Sequence, residues 1–368
     1  MSDPYPAYAR LRARGPVAFL EERGVWAVSG FDEVVACLKN HAAFSSRIGD
    51  GGSGLGRSMI FADPPEHTRL RGVVAKAFTP RSIAALEGRI TAIATSLLDR
   101  IDRSAFDVVS EYAVPLPITV IAEMLGIDPA DRADFRRWSA AIVGRDHMDP
   151  STLRREFGSY FGRVLEERRR EPRDDLISRL VQANEDEVMT ADELMDAVAL
   201  LLVAGNETTT NLISLATLQF ALFREQREAV LGDPSLLPNA IEEVLRFDGP
   251  VHMIPPRLSR LETVIGGRTI APGAFVMVYT AAANRDPRKF TDPDVFDVHR
   301  RDAGSHVAFG AGIHFCLGAP LARFEGRVAM EALLGRFPNY ELAKPDEPAV
   351  FQPNPFLRTI ERLEVRVP

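Results

Sequence analysis

Cys316 stands two residues after His314 in the stretch AFGAGIHFCLGAPLARFEG, residues 308–326, and is one of two cysteines in 368 residues. Gly310, Gly312 and Gly318 surround it and allow backbone geometry, and a close approach to a flat object, that a Cβ would resist. Backbone N–H groups around the sulfur stabilise a thiolate, and a helix starting near Ala319–Pro320 lowers the thiol pKa further. A thiolate held in this way is a nucleophile or a metal ligand. As a nucleophile it needs a base, and His314 two positions away does not by itself make a dyad. A zinc site needs about four ligands, and no second cysteine lies nearby. A single thiolate suffices in one common case, as the axial ligand of heme iron. Cys37, inside VVACLKN, has no such surroundings and reads as a small core residue.

Three further segments have residue types that could do chemistry. In AGNETTT, Ala204–Thr210, a glycine, an acid and three threonines follow directly on the apolar run AVALLLVAG. A capping box, Thr190 with Glu193, opens a helical pattern that continues to about Arg224, a rod of about 50 Å at ~1.5 Å per residue. Threonine hydroxyls that bond back to the preceding carbonyls can bend or open a helix. A buried Glu207 and Thr208 beside such a turn would form a proton path from solvent to a reactive centre. A helix that surfaces after Gly205 would leave Glu207 solvated, but apolar NLISLATLQFALF resumes at once. In DPPEHTRLR, Asp63 as N-cap and Pro64 at the first helical position mark a helix start. His67 and Arg71 then share a face and suit carboxylate recognition, although the segment alone reads better as an exposed polar face. In EEVLR, Glu243 and Arg246 lie three apart, a spacing that usually means a surface ion pair worth under ~1 kcal/mol.

The elements that must position these residues are mostly helical. LEGRITAIATSLLDRI and REFGSYFGRVLEERRR carry apolar residues at helical spacing with charges opposite. The charged run Glu166–Glu171 reads as a solvated helix end without a role. After Pro250 the texture changes: LETVIGGRTIAPGAFVMVYT reads as strand, turn, strand with Gly-Gly and Pro-Gly as punctuation, and LRTIERLEVRVP as another short strand. The tract Ile48–Arg57, IGDGGSGLGR, is a loop, either a linker or a lid. The fold class is therefore mainly α with smaller β-sheets (α+β). The chain reads as a single catalytic domain over 1–368, β-rich near 15–30, 251–280 and 350–368.

A formal charge of −7 excludes general nucleic-acid binding, which needs a net basic face. Two cysteines cannot build a disulfide framework and suit a reducing cytosol. The longest apolar run has nine residues, short of the ~20 that span a bilayer, so the sequence predicts a soluble, cytoplasmic protein with no membrane partner.

These segments, in this order, resemble the cytochrome P-450 superfamily of heme-thiolate monooxygenases in its soluble bacterial form. Phe309, Gly312, His314, Cys316 and Gly318 fill every position of that family's heme loop. Ala204, Gly205, Glu207 and Thr208 match its long-helix motif, and Glu243 with Arg246 its Glu-x-x-Arg brace. DPPEHTRLR and PPRLSR are similar to the segments that supply propionate contacts, here His67, Arg71 and Arg257. AANRDPRKFTDPDVFD is similar to the meander before the heme loop, so the resemblance runs from DPYPAYARLR to the last strand. In three places the chain departs from the pattern. Few residues precede DPYP, as in a clipped or naturally short N-terminus. Val295 replaces the arginine that often joins the Glu-x-x-Arg pair, with Arg300 as its substitute. Glu207 stands where many relatives have Asp, which keeps the proton-transfer role.

The resemblance implies heme b (iron protoporphyrin IX) ligated by Cys316, with Phe309, Gly310, His314 and Gly318 in its loop, and a P-450 fold with a long central helix over the buried heme. It implies insertion of one atom of O2 into a C–H bond of a small, mostly apolar substrate. Thiolate donation would favour O–O cleavage, and Glu207 and Thr208 would deliver the protons. Electrons would come from NAD(P)H through a separate ferredoxin-type donor and its reductase, docking near Arg69, Arg323 and Arg327 on a monomer. By family position the substrate pocket takes in loop 48–61, Leu201 to Ala204, Val251, His252, Met253, Ile254, Phe351 and Phe356, with His252 a polar contact. The loop is compact for the family, as for a small or unusually open pocket. A peroxide-driven peroxygenase, a heme-binding sensor without turnover and a cysteine hydrolase are the competing readings. Retention of Glu207 and Thr208 argues against the first two, and a colourless protein would favour the third.

Overall fold

The longest apolar pattern of the sequence becomes one helix, Ala191–Leu222, in a computed structural model that describes residues 3–48, 58–78, 83, 86–142, 147–184, 188–347 and 349–368. Its start is the expected capping box: the Thr190 amide donates to Glu193 Oε2 at 2.8 Å and the Glu193 amide to Thr190 Oγ1 at 3.2 Å. It ends two residues short of the expected limit, because Phe223 leaves helical geometry before a new helix, Arg224–Gly232. The threonines do not open it. All 32 residues stay α-helical, and the hydroxyls seen bonding back are those of Ser214, to the Thr210 carbonyl, and Thr217, to the Ile213 carbonyl, each at 2.8 Å. A hydroxyl on the i−4 carbonyl shares that acceptor with the helix N–H and need not displace it. By length and composition this helix could cross a membrane, yet 61% of its most apolar window is buried inside the protein.

The chain divides into two compact units. The first comprises Met1–Ile48, Ala94–Ala113 and Thr208–Pro368. It contains a five-stranded sheet in the order β1 (Val17–Leu20), β2 (Val25–Val28), β8 (Phe275–Val278), β5 (Ile254–Ser259), β3 (Phe44–Ser45). The pairs are antiparallel except β2 with β8, which run parallel with Trp26 opposite Val276. Val17, Val28, Val34, Leu38, Phe44, Ile270, Val276 and Val278 form the core beside it, with Cys37 among them at 1% exposure. Burial pushes the Cys37 thiol up to about 12, so this cysteine is inert packing.

Two sequence expectations divide where the chain changes sheets. Gly266 and Gly267, both at positive φ, turn β6 (Thr263–Ile265) back onto β7 (Arg268–Ile270) as a separate two-stranded ribbon. The Pro-Gly turn then redirects the chain into β8 of the larger sheet. The last segment is two strands. Ile360–Arg362 (β11) pairs with Val350–Phe351 (β10), while Glu364–Arg366 (β12) lies between Ala105–Asp107 (β4) and Glu341–Leu342 (β9). Leu363 between them is 2% exposed and its carbonyl accepts from Val108.

The second unit, Gly49–Ile93 and Val114–Glu207, is helical among its described residues. The helix at Asp63 begins later than its N-cap signature predicts, at Glu66. Asp63 and Pro64 each precede a proline and are steered out of the helical region. The charged run at 166–171 also departs from expectation. Arg168 is only 2% exposed and donates to Asp175 at 2.6 Å and to the Gly126 carbonyl at 3.1 Å. Asp175 in turn caps the helix Leu176–Ala183 by accepting from the Ser178 amide. The first of three consecutive arginines carries no sequence mark of this partner, which lies beyond the end of its helix.

Candidate active site

The cysteine loop is closed by backbone. The Cys316 amide donates to the Phe309 carbonyl and the Gly310 amide to the Val307 carbonyl, each at 2.9 Å. Val307 is held in turn by Asn284, whose Oδ1 accepts its amide at 2.7 Å. Gly312, at φ +71°, carries a requirement the sequence reading assigned elsewhere. A Cβ there would lie 2.3 Å from the Leu38 carbonyl oxygen, so this glycine lets the loop press against the helix Phe31–Lys39. Gly318 is different: its φ of −81° is ordinary, and a Cβ would stand 3.9 Å from the Cys316 sulfur. The helix Ala319–Arg336 starts directly after it with Pro320 in its first turn, three residues beyond the half-buried Cys316. His314 Nε2 is 2.8 Å from Ser46 Oγ. Arg257 lies on β5 opposite Val276, is 4% exposed, and donates to the Pro255 carbonyl at 3.0 Å.

The brace beneath the loop is a buried two-arginine cluster. Arg246 Nε and Nη2 clasp Glu243 at 2.6 and 2.8 Å, and its remaining N–H groups reach the Asn284, Pro293 and Val295 carbonyls. Arg300 Nε donates to Glu243 Oε1 at 3.2 Å, and the Asp297 amide donates to the same oxygen at 3.0 Å. Both side chains of the Glu243–Arg246 pair are fully buried. The surface pair that i,i+3 spacing usually means is therefore not what forms here.

On the Ala191–Leu222 helix, Asn206, Glu207, Thr209, Thr210 and Asn211 are buried and Thr208 is half-buried. Leu201, Ala204 and Thr208 recur at i, i+3 and i+7 and share one face. His67 and Arg71 share a face of the helix Glu66–Ala77, His67 at 3% exposure. A small cleft within the second unit is lined by Ser58, Met59, Leu70, Val74, Met189, Glu193 and Ala197. Of loop 48–61, residues 49–57, which carry the lid reading, lie outside the described residues.

Segments 250–253 and 356–358 run side by side: His252 and Met253 amides donate to the Phe356 carbonyl, and the Arg358 amide to that of Pro250. His252 itself is committed to another cluster. It is 4% exposed, its Nδ1 is 3.0 Å from Tyr8 Oη, and its Nε2 is 3.5 Å from Tyr5 Oη and 3.6 Å from Asp248. Burial pushes its pKa down, against the pull of Asp248. The expected substrate contact is thus occupied by the N-terminal helix Tyr5–Ala13, a long-range pairing no local pattern marks. Phe351 is covered by the Arg358 guanidinium, 3.4 Å from its ring centroid. The three arginines expected to greet a redox partner are each held by a carboxylate of this chain: Arg69 by Glu193, Arg323 by Glu242 and Arg327 by Glu331.

The donor set has one soft sulfur, Cys316, just ahead of a helix N-terminus, and no group of three or more His, Cys, Asp or Glu that could cage a metal occurs among the described residues. A single soft donor fits a metal carried by its own macrocycle, and the buried Arg257 is a cation of the kind that an acidic periphery needs. Comparison with known proteins agrees. The family pattern of cytochrome P-450 matches residues 134–367, and this chain belongs to that family. It is 40% identical to the cytochrome P-450 monooxygenase PikC of Streptomyces venezuelae, over 99% of this chain and 91% of that protein. It is 39% identical to 6-deoxyerythronolide B hydroxylase of Saccharopolyspora erythraea, over 99% and 96%. Among solved structures, CYP109E1 from Bacillus megaterium in complex with testosterone superposes with a TM-score of 0.92 at 37% identity, covering 99% of both chains. The chain is thus a P-450 oxidoreductase of bacterial type, and the family implies a heme cofactor.

Proposed function

We propose that this protein inserts one atom of O2 into a C–H bond of a small, mostly apolar organic molecule, using heme b on Cys316 and electrons from NAD(P)H through a separate ferredoxin-type donor and reductase. The observation that carries the reading is the half-buried Cys316 at the N-terminal end of an 18-residue helix, its backbone fixed by Phe309. Heme, when bound, supplies the oxygen-activating chemistry. The protein's own residues do the rest. Cys316 Sγ holds the metal, and the loop residues Phe309, Gly310 and Gly318 fix and clear its surroundings. His67, Arg71, Arg257 and His314 neutralise two carboxylates whose burial is otherwise costly. Glu207, 9% exposed, and Thr208 are the acid and alcohol that deliver protons to the reactive centre.

The apolar character of Leu201, Ala204, Val251, Met253, Ile254 and Phe356, which family position assigns to the substrate, favours a hydrophobic molecule. Relatives include 6-deoxyerythronolide B hydroxylase and a structure in complex with testosterone, which supports an organic substrate of that kind. The buried Glu207 favours the O2 route over a peroxide-driven one. The test is the absorption spectrum of the reduced protein with carbon monoxide, where a strongly red-shifted Soret band is expected. Its absence from folded protein overturns the reading. With donor and reductase added, Thr208→Ala is expected to keep that band while losing at least tenfold in product per O2 consumed.

A further inference from the structure

Two consecutive glutamates on the helix Leu237–Asp248 divide their work. Glu243 faces the meander through Arg246, Arg300 and the Asp297 amide. Glu242 faces the cysteine loop, and it holds both flanks at once. On the downstream flank, seven residues after Cys316, Arg323 clasps its carboxylate with Nε at 2.7 Å and Nη2 at 2.9 Å. On the upstream flank, ten residues before Cys316, His306 Nε2 donates to Glu242 Oε2 at 3.2 Å. The His306 side chain is 1% exposed, and its Nδ1 accepts the Ala308 amide at 3.1 Å, so Nε2 carries the proton that Glu242 receives.

The two flanks meet at Phe309. The Arg323 guanidinium lies over its ring, 4.5 Å from the centroid, and the His306 ring is 5.8 Å away. The Phe309 carbonyl accepts the Cys316 amide. A closed circuit therefore runs from Glu242 through His306 and Ala308 to Phe309, across to Cys316, along the following helix to Arg323, and back. The carboxylate is firmly ionised: burial acts to raise its pKa, yet hydrogen bonds from His306 and Arg323 outweigh that and hold it at about 2. A bidentate guanidinium fork resists rotation in a way a single bond does not.

We infer that Glu242 is a positioning residue for the thiolate: by tying His306 and Arg323 together it fixes Phe309 and, through the Phe309 carbonyl, the backbone that presents the Cys316 sulfur. The inference rests on Cys316 being the heme ligand. It also assigns Arg323 to the inside of this circuit rather than to a docking surface.

The experiment uses the heme-loaded full chain and follows the reduced, carbon monoxide-bound spectrum in mild urea. The readout is the rate at which the red-shifted Soret band of thiolate ligation converts to the shorter-wavelength band of lost ligation, with total heme and the melting curve as controls. Glu242→Gln and Arg323→Gln are each expected to accelerate conversion at least tenfold at unchanged heme content. The double variant is expected to be no faster than the worse single, because the two act through one network. Arg323→Lys keeps the charge but loses the fork, so it is expected to fall between. Arg327→Gln, outside the circuit, is expected to match the native protein. Conversion of Glu242→Gln within twofold of native overturns the inference. So do multiplicative effects in the double variant, or an Arg327→Gln as fast as Arg323→Gln. Should Glu242→Gln fail to load heme, Arg323→Lys decides: a native rate overturns the inference and an intermediate one supports it. A native protein without the red-shifted band overturns the heme-thiolate reading itself, a separate result.

Discussion

Arg300 donates from Nε to Glu243 Oε1 at 3.2 Å, and the same carboxylate is clasped by Arg246. Two guanidiniums on one buried acid replace the arrangement that Val295 interrupts, and Arg300 reaches it by also binding the Thr291, Asp292 and Val295 carbonyls.

Removing that acid leaves buried Arg246 without its carboxylate and Arg300 with only the more distant Asp302, at 3.8 Å. Glu243→Gln is expected to destabilise the protein by about 3–5 kcal/mol. Arg300→Met, which leaves the better-bonded pair intact, is expected to cost about 1–3 kcal/mol. Urea unfolding followed by far-ultraviolet circular dichroism measures both. Equal losses would show that Arg300 holds the acid as firmly as Arg246 does.

Glu325, on the helix after the cysteine loop, is 2% exposed, and its Oε2 has no hydrogen-bond partner among the described residues. Burial pushes its carboxyl up to about 8. The unfolded chain loses this proton near pH ~4.5 while the folded protein keeps it to about 8. Stability therefore falls as pH rises between those values and is flat above them, by an amount on the order of 4 kcal/mol. Glu325→Gln is expected to remove that slope. Unfolding free energies at about pH 5 and pH 8.5 in both proteins measure it, and an unchanged slope in the variant would disprove the assignment.

Gly312 and Gly318 make a paired test. Gly312→Ala drives a methyl into the Leu38 carbonyl at a positive-φ position and is expected to cost more than ~2 kcal/mol of folding stability, with heme or without. Gly318→Ala meets only the Cys316 sulfur, at 3.9 Å. Its stability without heme is expected to stay within ~0.5 kcal/mol of native. Its heme is expected to transfer to apomyoglobin at least tenfold faster.

The N-terminal helix is tied down by its tyrosines. Tyr5 Oη donates to Asp248 Oδ1 at 2.8 Å, and the Arg285 guanidinium packs 3.4 Å from the Tyr5 ring centroid. Tyr5→Phe keeps the stacking and loses the bond, for an expected cost of about 1–2 kcal/mol. Amide exchange in residues 5–13 is expected to accelerate about tenfold or more, and uniform acceleration over the whole chain would instead mean a global loss.

The sequence by itself determined the chemistry and most of the scaffold. The glycine-bordered Cys316, the capping box at Thr190, the Gly-Gly turn and the long apolar helix are local devices, each written within a few adjacent residues. Local rules read them because their partners lie within a turn or a hairpin. Tertiary structure decided everything that depends on a distant partner. It turned Glu243–Arg246 from an ordinary surface pair into a buried cluster with Arg300, and gave Gly312 its reason in the Leu38 carbonyl. It drew His252 away to Tyr5 and Tyr8, and set Glu242 between His306 and Arg323. The physical reason is that a charged side chain reads as solvated until a counter-charge arrives from far along the chain. Burial and pairing then come together, and neither is visible at i±4.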